Sequence, residues 1–138
     1  MWAAEHTHET TATPQRVWRL WADVEQWPSW NPDIEEIELS GPFAPGSRIV
    51  MTPSGQEPIE LEIAEAKEPQ LFVERADLGQ IVVRTTHRVE RLDDELARIT
   101  YRMEITGPQA DTLGPEVGPQ ISGDFPETLA ALAERAER

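Results

Sequence analysis

Few side chains in this 138-residue sequence combine a useful chemistry with a position that could use it. His87 stands mid-strand in Val83-Arg84-Thr85-Thr86-His87-Arg88-Val89 and shares its parity with Ile81, Val83 and Val89. Alternate residues of a strand point to the same face, so His87 is expected to face the interior. An imidazole that titrates near ~6.5 can act there as acid, base or hydrogen-bond donor. Tyr101 is the only tyrosine and shares the parity of Ile99 and Met103. Its hydroxyl could orient a ligand carbonyl or phenol. The two are the expected catalytic pair, on strands that should be neighbours. Each also reads as an ordinary core residue, a histidine bonded to a neighbour or an aromatic with its hydroxyl at the rim.

The remaining candidates are ligand contacts. Arg48, Arg75 and Arg84 are strand arginines that could meet a ligand carboxylate or enolate. Arg75 has the parity of Leu71 and Val73 and is the one expected inward; most strand arginines are solvated. Trp27 and Trp30 flank Pro28, with Trp27 expected in the core and Trp30 at a pocket wall. Met51, Val83, Thr85, Met103 and Phe125 complete the expected lining. His6 and His8 lie two apart on one strand face with Trp2 and Ala4, but no accompanying motif supplies a third metal ligand, so no metal and no other cofactor is expected. Glu60 and Glu62 read as a solvent face. No glycine-rich phosphate loop and no glycosidase-like carboxylate pair stands out.

Composition narrows the partners. Twenty-six acidic against 12 basic side chains give a net charge of −14, which repels phosphate backbones and anionic membranes. Nucleic acid is therefore not an expected partner. Cysteine is absent, which removes disulfides, thiolate metal sites and a cysteine nucleophile. No apolar run reaches the ~20 residues of a membrane span, and Met1–Thr11 lacks a signal peptide's apolar stretch. The expectation is a cytoplasmic protein, monomer or homodimer, with residues 1–138 as one domain.

The elements that must position these residues are legible in the pattern. Trp2–Thr11 alternates as a first strand. Thr13-Pro14 is a helix start, with Thr as cap and Pro in the first turn. Val17, Leu20, Trp21 and Val24 form its apolar stripe, and Pro28 ends it before a tight turn or short helix at residues 27–32. Six strands follow, near 34–39, 48–52, 58–66, 71–76, 80–92 and 97–106, separated by turn residues such as Pro45-Gly46, Pro53-Ser54-Gly55 and Asp93-Asp94-Glu95. After Gly107-Pro108 the chain is helical in tendency but interrupted by Gly114-Pro115, Gly118-Pro119, Gly123 and Pro126. Asp124 is expected to cap a final helix whose apolar face is Phe125, Leu129, Leu132 and Ala133. A meander with one apolar face must cover it, and that helical segment is the available partner. A curved sheet gripping one helix leaves an apolar gap, the usual kind of ligand site.

Two segments carry a family resemblance. Ala12-Thr13-Pro14-Gln15-Arg16-Val17-Trp18 and Asp23-Val24-Glu25-Gln26-Trp27-Pro28-Ser29-Trp30 resemble the opening of the SRPBCC superfamily, which includes START-related lipid-transfer domains, Bet v 1-like proteins and polyketide cyclases. The similarity is greatest to the polyketide cyclase/dehydrase branch, with Thr13 where that branch usually has Ala. The turn at Pro45-Gly46 and the strand around Arg98-Ile99-Thr100-Tyr101 extend the resemblance over nearly the whole chain. It implies an α+β helix-grip fold, a curved antiparallel sheet of about seven strands wrapped around a C-terminal helix. It also implies a cavity between them for a small hydrophobic or aromatic molecule. Three functions follow as alternatives: a cyclase/aromatase-like enzyme, a lipid or metabolite carrier or sensor, or an interaction module whose pocket is filled by Trp and Leu. The sequence departs from the family in the Gly- and Pro-rich residues 114–126. They read either as a loop or kinked helix gating the pocket mouth or as a simple shortening of the helix.

Overall fold

The structure is a computed structural model that describes residues 1–138. It has seven strands in one antiparallel sheet: β1 (Trp2–Thr10), β2 (Ile34–Ser40), β3 (Arg48–Pro53), β4 (Ile59–Lys67), β5 (Leu71–Asp77), β6 (Val82–Arg91) and β7 (Ala97–Thr106). The spatial order is β1-β7-β6-β5-β4-β3-β2. Strands β2 to β7 form a meander, and β1 returns beside β7. This is the expected helix-grip arrangement, with every expected strand present. No helix is long and apolar enough to cross a membrane.

The segment between β1 and β2 folds as its caps dictate. Thr13 Oγ1 accepts from the Arg16 amide at 3.3 Å, and Pro14 opens α1 (Pro14–Ala22). The buried face of α1 is Val17, Trp18 and Trp21. Trp18, rather than the partly exposed Leu20, thus joins the buried stripe. A short 3₁₀ helix (Val24–Ser29) tolerates Pro28 and turns Trp27 and Trp30 under the sheet. Trp27 is fixed there by its indole N–H, which donates to the carbonyls of Leu20 and Trp21.

Of the readings of the C-terminal region, the structure shows the kinked helix. Residues 110–122 are neither a loop nor a shortening: they form α2 (Ala110–Ser122), followed after Gly123-Asp124 by α3 (Phe125–Glu137). Pro115 and Pro119 sit inside α2 on its exposed face, where their missing amides cost least. The residue before a proline is crowded by the proline ring, and glycine at 114 and 118 has no Cβ to crowd. The same glycines face inward. Ala110, Gly114, Gly118 and Ser122 make a buried stripe of small side chains four residues apart, and Trp2 of β1 lies across it. A Cβ on Gly118 would stand 2.3 Å from the Trp2 ring. The residues that looked like breaks are therefore the socket of a tryptophan. Leu129, Leu132 and Ala133 of α3 are buried as expected, and Ala136 is buried with them. Asp124, in contrast, makes no capping bond to α3; its carboxyl turns elsewhere.

One prediction follows from the socket. Gly118→Ala should destabilise the protein by about 1–3 kcal/mol, the cost of overpacking a tight contact. The penalty should disappear in a Trp2→Ala background, because the clashing atoms belong to the indole ring. Urea denaturation of the four-member mutant cycle measures it; an equal penalty in both backgrounds would show that Trp2 is not what α2 packs against.

Candidate functional site

Register, more than parity, builds the site. On the concave face His87 is paired with Phe72 of β5 on one side and Tyr101 of β7 on the other, and Tyr101 is paired with His6 of β1. Phe72 and the His87 ring stack almost parallel, 4.0 Å between centroids at 6°. Tyr101 meets His87 edge-on at 4.5 Å. Trp21 of α1 closes over the row, and its indole N–H donates to the Tyr101 hydroxyl oxygen at 3.2 Å. With the Trp21 N–H donating to that oxygen, the Tyr101 proton is free to be given to something else.

One step along β5 from Phe72, on the same face, is Glu74, opposite Thr85. Its side chain is 16% exposed and lies 3.6 Å from His87, Oε1 to Nε2. That spacing is longer than a hydrogen bond. Burial explains why the two do not form an ion pair. It pushes the Glu74 carboxyl up from 4.5 to about 7 and the His87 imidazole down from 6.5 to about 3. The histidine is thus neutral at physiological pH, and the carboxyl is poised to hold or release a proton. Burial also raises the Tyr101 phenol, which keeps it a donor. Glu74 Oε2, His87 Nδ1 and Trp30 Nε1 are buried with no hydrogen-bond partner. Buried polar atoms are almost always paired, so three orphans in one place are unusual.

These groups line a cavity of about 450 Å³ between the concave face, the 3₁₀ helix and the α2–α3 junction. Trp21, Trp27, Trp30, Phe72, Tyr101 and Phe125 give it aromatic walls, and Glu74, Thr85 and His87 give it a polar floor. Asp33 and Asp124 stand at its rim. The Asp124 carboxyl is raised by burial and by its hydrogen bond to Asp33, and this is where the expected helix cap points instead.

The sequence-predicted residues divide cleanly. His87, Tyr101, Trp30, Met51, Thr85 and Phe125 all line the cavity. Val83 and Met103 face the same side of the sheet but are packed into the core beyond the cavity. Arg75 is misplaced by the parity reading: it lies on the opposite face, half-exposed, 3.8 Å from the Asp77 carboxylate. Leu71, Phe72 and Val73 are three consecutive apolar residues, all buried, so both parities of β5 were equally apolar. The inward set is Phe72, Glu74 and Ala76, which brings Glu74 in and sends Arg75 out. Glu74 was missed for the same reason; Ala76 was the only local signal for the correct parity. Arg48 and Arg84 are also outside, paired with Glu60 and Glu65. His6 and His8 lie on the inner face of β1, and His6 meets Phe125 edge-on at 6.1 Å. No cluster of three metal-ligating side chains forms around them.

Comparison with known proteins agrees with this architecture. No curated protein matches the sequence significantly. Among solved structures, norcoclaurine synthase from Thalictrum flavum superposes with a TM-score of 0.76 at 15% identity, over 96% of this chain and 84% of that one. A START superfamily protein from Mycobacterium smegmatis gives 0.73 at 19% identity, over 98% and 97%. The di-domain ARO/CYC protein BexL gives 0.75 at 15% identity, over 99% of this chain and 50% of that one. At these identities the likeness establishes the fold alone. The sequence itself matches the family described as "Polyketide cyclase / dehydrase and lipid transport" over residues 1–137. The chain therefore belongs to that family.

Proposed function

We propose that the cavity binds a small aromatic or otherwise hydrophobic molecule and moves a proton on it, with Glu74 as the acid–base group and Tyr101 and His87 as its partners. The observation that carries this reading is a carboxyl poised near neutrality on the floor of an aromatic cavity, beside a neutral histidine and a phenol with a free proton. A general acid–base catalyst works best when its pKa lies near the operating pH. A structural carboxylate would instead be paired; Glu74 Oε2 has no partner.

In the cyclase-like version, the walls would fold a chain bearing ketone groups. The Glu74 carboxylate would take a proton from a carbon between two carbonyls. The resulting enolate carbon would attack a second carbonyl of the same chain, forming a carbon–carbon bond, and Tyr101 would protonate the alkoxide produced. Loss of water would follow: the Tyr101 phenolate would take the remaining proton of the attacking carbon while protonated Glu74 gives its proton to the departing hydroxyl, which restores both groups to their starting states. Orientation and stabilisation of the enolate supply the acceleration, and no redox group is required. The carrier version needs the cavity alone. The interaction-module version is the least supported, since its sign was a cavity filled by Trp and Leu, and this one is open.

Native mass spectrometry of the purified protein should show a retained small molecule, or uptake of an added aromatic ketone; a clean mass with no uptake of any apolar compound would count against both the enzyme and the carrier. With a polyketone substrate, Glu74→Gln and Tyr101→Phe should each lower kcat by about 10²-fold or more while the variants still fold and bind. Binding without turnover in the unmodified protein would leave the carrier.

The ionisation of Glu74 has its own signature. The folded carboxyl keeps its proton up to about 7, whereas the unfolded one loses it near 4.5. Between those values the folded state holds the extra proton, so Glu74 makes stability fall as pH rises through that window. Glu74→Gln lacks this penalty. Its stability advantage over the parent should widen between pH 4.5 and 7 and level off at roughly 3 kcal/mol. Urea denaturation across the pH range tests this; a gap independent of pH would mean that Glu74 titrates normally and is not the acid–base group.

A further inference from the structure

The charges around the cavity are one-sided. Asp33 and Asp124 stand at its rim and Glu74 at its floor, while none of the 21 residues lining it is Lys or Arg. The arginines of the central strands are turned to the outer face, where Arg84 meets Glu65 at 2.8 Å and Arg102 meets Glu5 at 3.5 Å. An anionic ligand would enter without a single counter-charge, beside a Glu74 carboxyl that burial already holds up at about 7. A carboxylate desolvated there would be costly. The net charge of −14 also repels anions and draws cations at long range.

The rim is arranged for a cation. Asp33 sits between the 3₁₀ helix and β2, Asp124 between α2 and α3; both side chains border the cavity, and the Asp33 carboxyl is close enough to raise that of Asp124. Burial, together with the neighbouring carboxyl, disfavours the ionised form of Asp124. A protonated amine placed between them would release that constraint. Deeper in, the buried Trp30 indole N–H and the buried His87 Nδ1 lack partners, which points to a ligand that reaches past the rim. The indole N–H can only donate, so that ligand carries an acceptor such as a carbonyl or phenolic oxygen.

We infer that the cavity selects an aromatic amine: the protonated nitrogen lies between Asp33 and Asp124, the ring body reaches inward to Trp27, Phe72 and Phe125, and carboxylates of the same shape are excluded. This rests on the binding part of the proposed function and is independent of its catalytic part.

Calorimetric titration with three matched probes tests it: naphthylethylamine, naphthylethanol and naphthylacetate, at neutral pH and low salt. The amine should bind about tenfold tighter than the alcohol, with the acetate weakest. In the Asp33→Asn/Asp124→Asn double variant, checked for folding by its thermal unfolding, the amine-to-alcohol ratio should fall to about twofold or less. Equal binding of amine and alcohol, tight binding of the acetate, or an amine preference that survives in the double variant would each overturn the inference and leave the binding cavity standing. Failure of all three probes to bind would overturn the inference and the cavity reading together.

Discussion

His87 lies flat against Phe72 and edge-on to Tyr101 because antiparallel register sets the three opposite one another on β5, β6 and β7. Cross-strand pairs of this kind are the unit from which a sheet is stabilised. Here the pairing also fixes the site. Stacking holds the imidazole plane, the plane sets where its nitrogens can reach, and the Trp21 bond to Tyr101 sets where the phenol proton is free. A slip of one residue in β6 would put Thr86 in place of His87 and turn the whole row to the outside. The apolar residues that share His87's parity, Ile81, Val83 and Val89, are what prevent that slip. Core packing and site geometry are therefore the same constraint expressed twice.

The row of aromatic rings also determines the electrostatics. Trp21, Phe72 and Tyr101 enclose His87, and burial moves the proton affinities of Glu74 and His87 in opposite directions. A pair that would be a salt bridge on the surface becomes a neutral imidazole beside a carboxyl that can go either way. The arginines of the sheet could have undone this. A guanidinium within a few ångströms would have held Glu74 ionised. Most of them are instead in ion pairs of the outer face, such as Arg84 with Glu65. The segregation of charge between the two faces is what keeps the inner carboxyl poised.

Much of this was legible in the sequence, and the failures have identifiable causes. Strand boundaries, the Thr13-Pro14 helix start and the inward direction of His87 and Tyr101 came from alternation and capping chemistry, which are local. Alternation failed at β5, where Leu71-Phe72-Val73 is apolar on both faces; a two-residue period carries no information when both parities are equally apolar. That single ambiguity exchanged Arg75 for Glu74 and with it the sign of the charge expected in the site. The Gly-Pro pairs of α2 misled for a different reason. Helix propensity penalises them, but propensity is a weak prior against tertiary contact. The contact that overrides it, Trp2 against Gly114 and Gly118, joins residues more than a hundred positions apart.

The same long-range contact bears on how the cavity is bounded. Trp2 anchors α2 to β1 at one edge of the sheet, while α3 is fixed by Leu129, Leu132 and Ala133 in the core. The bend at Gly123-Asp124 lies between the two anchors, and Asp124 and Phe125 at that bend face the cavity. Two glycines seating one tryptophan thus do more than hold a helix: they fix α2 against β1 on one side of the bend whose residues border the cavity.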